Sequence, residues 1–94
     1  MREVEWRQAA RADLLSVVGY IADDNPAAAR RLKDDIEAKV AKLPNHPLIY
    51  RAGRVAGTRE MVVGSNYVVI YAAGESVVTI LRVLHAAQQW PPDA

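Results

Sequence analysis

The chain has 94 residues, with twelve Lys/Arg against eleven Asp/Glu, a formal net charge of +1 and no cysteine. That length suits one domain over residues 1–94; the charge is too small to argue for nucleic acid by itself, and the missing cysteines exclude a disulfide framework or a thiolate metal site. No apolar run approaches the roughly 20 residues of a membrane span, and Met1-Arg2-Glu3-Val4-Glu5-Trp6 has no apolar leader core, so a folded cytoplasmic protein is expected.

Val4 and Trp6 alternate with Glu3 and Glu5, which predicts an N-terminal strand with one apolar face. Ala10, Leu14, Val17, Val18 and Ile21 then recur at helical spacing and make one stripe. Asp23-Asp24-Asn25-Pro26 ends that helix and starts another, because Asn is a good N-cap and Pro fits the first helical position. The second stripe is Ala29, Leu32, Ile36, Val40 and Leu43, and Pro44 stops it. Two helices with so short a connection form an antiparallel hairpin.

Residues 44–57 hold Pro44, Pro47, Gly53 and Gly57 and read as a loop entering a sheet. Strands are predicted over 58–63, 67–72 and 76–84, separated by Gly64-Ser65-Asn66 and by Gly74-Glu75. The expected fold is α+β: an N-terminal strand, a helical hairpin, then a three-stranded antiparallel meander. The helices should cover one sheet face and leave the other partly open for function.

Charge is unevenly spread. Between Pro44 and Arg59 there are three arginines, Arg51, Arg54 and Arg59, and no acid. Such groups can grip phosphates and stabilise a charged transition state, or simply face solvent. Arg82 interrupts the apolar run Val77-Val78-Thr79-Ile80-Leu81-Arg82-Val83-Leu84. A charge there is costly unless paired, so it is either a site residue or one half of an ion pair, with Glu60 as the expected partner. Strand alternation puts Arg82 and His85 on opposite faces, so both converge only if a bulge or strand end lies between them. His85 can serve as acid or base, and Trp90 can stack on a base or close the core. Tyr67 and Tyr71 share one strand face and carry the same two readings. Phosphate loops, metal-ligand spacings and nucleophile elbows are absent, so no cofactor or metal is expected.

The ordered set of segments resembles the RelE/ParE toxin superfamily. It comprises Ala10-Arg11-Ala12-Asp13-Leu14, Gly19-Tyr20-Ile21, Ala28-Ala29-Arg30-Arg31-Leu32 and Leu43-Pro44-Asn45-His46-Pro47. Gly57-Thr58-Arg59-Glu60, Asn66-Tyr67-Val68-Val69-Ile70-Tyr71 and Ile80-Leu81-Arg82-Val83-Leu84-His85 complete it. The resemblance implies a bacterial type II toxin silenced by a cognate antitoxin, in a complex that can bind operator DNA. Nuclease members cut mRNA on the ribosome without metal, the ribose 2′-hydroxyl attacking its own phosphate. That branch implies His85 as acid or base and Trp90 as a base-stacking group. Beside them the residues themselves offer Arg82 and Arg59 as catalytic candidates, Arg59 only if the strand register differs from the family's, and Arg51, Arg54, Tyr67 and Tyr71 as RNA-binding ones. A ribosome-dependent mRNA endoribonuclease is the first expectation. The alternative is a ParE-like inhibitor of DNA gyrase acting by protein–protein binding. It draws on Val63, which is apolar where many nuclease members carry arginine four residues before the first tyrosine of the Tyr-x-x-x-Tyr strand.

Overall fold

The structure is a computed structural model that describes residues 2–91. Its elements run β1 (Glu3–Trp6), α1 (Gln8–Asp24), α2 (Pro26–Lys42), β2 (Arg51–Ala52), β3 (Arg59–Val63), β4 (Tyr67–Ala73) and β5 (Val77–His85). The hairpin turns on one residue. The Asn25 backbone N–H donates to the Ile21 carbonyl and closes α1, while its side chain accepts from the Ala28 N–H at 3.0 Å and opens α2. Pro26 follows at the first helical position, where its missing N–H costs nothing.

The five strands form one sheet in the order β1-β5-β4-β3-β2. The expected meander is its centre, β3, β4 and β5 pairing antiparallel. Two features go beyond the expectation. β1 pairs in parallel with β5, Trp6 meeting Ile80, so the sheet is mixed. Within the loop, Arg51 and Ala52 form the short strand β2 against β3.

The main core lies between the hairpin and one sheet face. Ala10, Ile36, Val40 and Leu43 pack there against Met61, Val69, Tyr71, Ile80 and their buried neighbours. Of the α1 stripe only Ala10 is fully buried; Leu14, Val17, Val18 and Ile21 stay half-buried. The opposite face carries a smaller cluster of Val68, Ile70 and Leu84, against which Leu81 and Trp90 pack. A register shift gives β5 one extra residue: Ile70 pairs with Arg82 but Tyr71 pairs with Ile80, leaving Leu81 bulged. The bulge precedes Arg82. Alternation is regular from Arg82 onward, and Arg82 and His85 remain on opposite faces.

Candidate functional site

Arg82 is committed to α1. Its Nε and Nη2 donate to Asp13 Oδ2 and Oδ1 at 2.6 and 3.0 Å, a bidentate pair. Asp13 Oδ2 also accepts the Val83 backbone N–H at 3.0 Å. β1 stops opposite Ile80, so beyond that point β5 has no strand partner on this side, and the Asp13 carboxylate takes that place. The hydrogen bonds that the Arg82 guanidinium donates to Asp13 raise it above its ordinary pKa, against the opposing effect of burial. The expected Arg82–Glu60 pair does not form. Both residues oppose Ile70, on the same face but on strands either side of it, so about 10 Å of sheet separates them.

Glu60 is instead the anchor of the arginine loop. It is 2% exposed and accepts from Arg51 Nη2 and from the Arg54 backbone N–H, each at 3.0 Å. The Arg54 guanidinium adds a 3.4 Å contact. Burial alone raises the Glu60 carboxyl; the Arg54 amide, the Arg51 hydrogen bond and the charges of both arginines outweigh it and hold the pKa below its ordinary value. A depressed folded-state pKa contributes stability above the ordinary value of 4.5 and loses it as pH falls below. The melting temperature is therefore expected to fall as pH drops from about 5 to about 3, with Glu60→Gln flatter over that interval. Thermal melts across pH check this, and identical slopes for both proteins would refute the role of Glu60.

The remaining candidates are dispersed. Arg59 Nη1 donates to the Tyr50 carbonyl at 2.7 Å, tying it to the loop backbone. Tyr71 is fully buried and donates from its hydroxyl to the Pro47 carbonyl at 2.7 Å, leaving no ring face for a base. Burial raises its phenol pKa. Tyr67 and His85 are cross-strand partners on the helix-side face, their rings edge-to-face at 5.4 Å. His85 Nδ1 accepts the Ala87 N–H at 3.1 Å, which leaves Nε2 as the protonated nitrogen of the neutral ring. Trp90 sits on the other face, its ring centroid 5.9 Å from Arg82 Cζ and packed on the small cluster.

These positions do not converge. Arg59 opposes Tyr71 and His85 opposes Tyr67, which separates them by roughly 14 Å along the strands and about 10 Å across. Arg82, Arg51, Arg54 and Trp90 lie on the open face, away from His85. On that face Arg82 and Arg54 both reach Trp90, and Arg51 and Arg54 share Glu60, whereas His85 meets only Tyr67. Among the described residues, no group of three or more His, Cys, Asp or Glu is placed to hold a metal ion.

A different feature stands out on the helix side. An open groove of about 580 Å³ runs between β1 and the hairpin, lined by Val4, Trp6, Leu14, Leu15, Val40 and Ala41 together with the charged Arg11 and Glu37. Its floor is mostly apolar, and β1 beside it is the sheet's margin, paired on one side only.

The family profile described as "ParE toxin of type II toxin-antitoxin system, parDE" matches residues 4–90. The chain belongs to this toxin family. Two relatives agree. Y4kP of Sinorhizobium fredii, named as a toxin, is 36% identical over 96% of this chain and 94% of its own length. Toxin RelE2 of Caulobacter vibrioides is 34% identical over 94% of this chain and 99% of its own. A chain of the chromosomal ParDE system of P. aeruginosa has the same fold, with a TM-score of 0.80 at 21% identity, covering 90% of this chain and 96% of that one. A chain of the E. coli DinJ–YafQ complex matches at a TM-score of 0.67 and 15% identity, covering 96% and 99%.

The toxin's sequence pointed to the arginines and His85 as separate candidates. It did not point to Asp13, whose role depends on where β1 ends along β5. Nor did it show the groove, which needs both helices and β1 at once. Its one visible trace was Leu15, apolar yet outside the α1 stripe.

Proposed function

We propose that this ParE-family toxin acts by binding a protein target, with DNA gyrase as the target its family resemblance implies, and not by cutting mRNA. The observation that carries this reading is the state of the candidate catalytic cations. Arg82 is bonded to Asp13, Arg51 and Arg54 to Glu60, and Arg59 to backbone carbonyls. Ribonuclease chemistry needs such charges gathered within reach of one phosphate, and here they are spent on holding loops and strands.

The test follows macromolecular synthesis after the toxin alone is induced. DNA synthesis is expected to stop first while labelled amino acids are still incorporated, and purified toxin should inhibit supercoiling. His85→Ala should leave the inhibition within about twofold, a difference of about 0.4 kcal/mol. An immediate halt in translation with cleaved transcripts would transfer the assignment to the ribosome-dependent nuclease. The Tyr67–His85 pair, half-buried at the tyrosine and exposed at the histidine, favours that second reading, since it places an imidazole and a phenol together at one end of the sheet.

Neutralisation falls to a cognate antitoxin, as the toxin–antitoxin complexes among the structural relatives suggest. The groove beside β1 suits its docking. An apolar helix face fits between Leu14, Leu15 and Trp6, and an extended segment can pair with the free side of β1.

A further inference from the structure

The sheet face turned away from the helices holds its own small core, and one residue closes it. Val68, Ile70 and Leu84 are buried there, with Trp90 lying over them. The chain reaches this position by a tight turn after β5: the Ala86 N–H donates to the Asn66 carbonyl and the Gln88 N–H to the His85 carbonyl. Residues 86–89 are exposed. Trp90 is then held in three ways. Its ring meets the apolar floor, the Arg82 guanidinium stands 5.9 Å from its centroid, and Arg54 Nη1 donates to its carbonyl at 3.4 Å.

The seat is well defined, yet the occupant fits it incompletely. Trp90 Nε1 is shut off from solvent without a hydrogen-bond partner among the described residues, a condition that weakens the docked state. The Arg54 bond is long for an N–H···O contact. No residue of the tail belongs to the main core, which is built from the hairpin and the helix-side sheet face. Arg82 and Arg54 are fixed from behind by Asp13 and Glu60, so the seat keeps its shape without the tail. A segment with few anchors over a core that does not need it opens at low cost.

We propose that residues 86–91 are a detachable self-ligand, and that the seat beneath Trp90 is a second docking surface, one that takes an extended protein segment bearing an aromatic side chain. The tail itself shows what the seat recognises. A ring lies on Val68, Ile70 and Leu84 and against Arg82, and the main-chain carbonyl of the same residue reaches Arg54. A partner's segment with that pattern replaces the tail by exchange. The seat lies on the sheet face opposite the groove beside β1, so it accepts a partner independently of that groove and of which target the toxin attacks.

The test uses a synthetic peptide copying residues 86–91, titrated into the full chain carrying Trp90→Ala and into the wild type. Amide chemical shifts are followed by NMR. Saturable shifts at Val68, Ile70 and Leu84 are expected in the variant, with at least about tenfold weaker binding to the wild type, whose seat is already filled. Equal binding to both proteins, or no shift at those residues, overturns the proposal. So does a variant that no longer folds, because a detachable cover is one the main core does without. Amide exchange in the unmodified chain is the second measurement. The Ala86 and Gln88 amides should exchange at least about 100-fold faster than that of Val69, and exchange at a common rate would mean that the tail never leaves by itself.

Discussion

Asp13→Ala is expected to destabilise the toxin by about 2–3 kcal/mol, below the full cost of breaking a buried pair because both partners keep some exposure. For a chain of this length that lowers Tm by roughly 10–20 °C. Three bonds end on this one carboxylate: two from the Arg82 guanidinium and one from the Val83 backbone N–H. Removing it strands a partly buried cation and an edge amide together. The loss is placed where it matters most for topology. β1 covers β5 only as far as Ile80, and past that point Asp13 supplies the hydrogen bonds that tie α1 to β5. Asp13→Asn retains the shape and one acceptor and should lose less. Arg82→Ala leaves Asp13 its bond to Val83, so the two single substitutions should be strongly non-additive in a double-mutant cycle. Thermal and urea unfolding followed by circular dichroism measure the wild type and all four variants. A Tm change under about 3 °C for Asp13→Ala would reduce the pair to the worth of an exposed one.

The same interaction shows what a linear reading of this chain can reach. Asn25-Pro26 announces its own structure, because capping and the N1 preference of proline act within a few residues. The three meander strands are legible for a similar reason: short turns make neighbours in sequence neighbours in the sheet. Arg82 was legible as an anomaly, a charge in an apolar strand, but its partner was not. The choice between Asp13 and Glu60 depends on which strands intervene, and Ile70 stands between Arg82 and Glu60. The parallel pairing of β1 with β5 joins the two ends of the chain, and no local pattern encodes it. The bulge at Leu81 is likewise set by the sheet, and its position decides that Arg82 and His85 stay on opposite faces. Arg51 and Arg54 read as a local basic stretch, with Glu60, just past Arg59, set against Arg82 as its expected partner. In space Glu60 is the counter-charge of the loop itself.

Leu15→Asp is expected to weaken antitoxin binding by at least about 100-fold, close to 2.7 kcal/mol, while leaving the fold intact. Leu15 is 75% exposed and contributes little to the core, yet it forms part of the groove wall with Leu14, Trp6 and Val4. A large apolar side chain held in water beside a concave apolar floor and a half-paired strand is what a docking site offers before its partner arrives. Placing a carboxylate there forces any apolar segment in the groove to desolvate a charge. Stability should shift by no more than about 0.5 kcal/mol, as for other exposed positions. Tyr20 supplies the control, since it is 81% exposed on the same helix but does not line the groove; Tyr20→Asp should alter affinity by less than about threefold, under about 1 kcal/mol. Calorimetric titration of purified toxin with its antitoxin gives the numbers, and co-expression gives the consequence: a Leu15→Asp toxin that still arrests growth should escape rescue. If antitoxin binds it as tightly as the wild type, the groove beside β1 is not the neutralisation surface, and the free side of β1 must work without it.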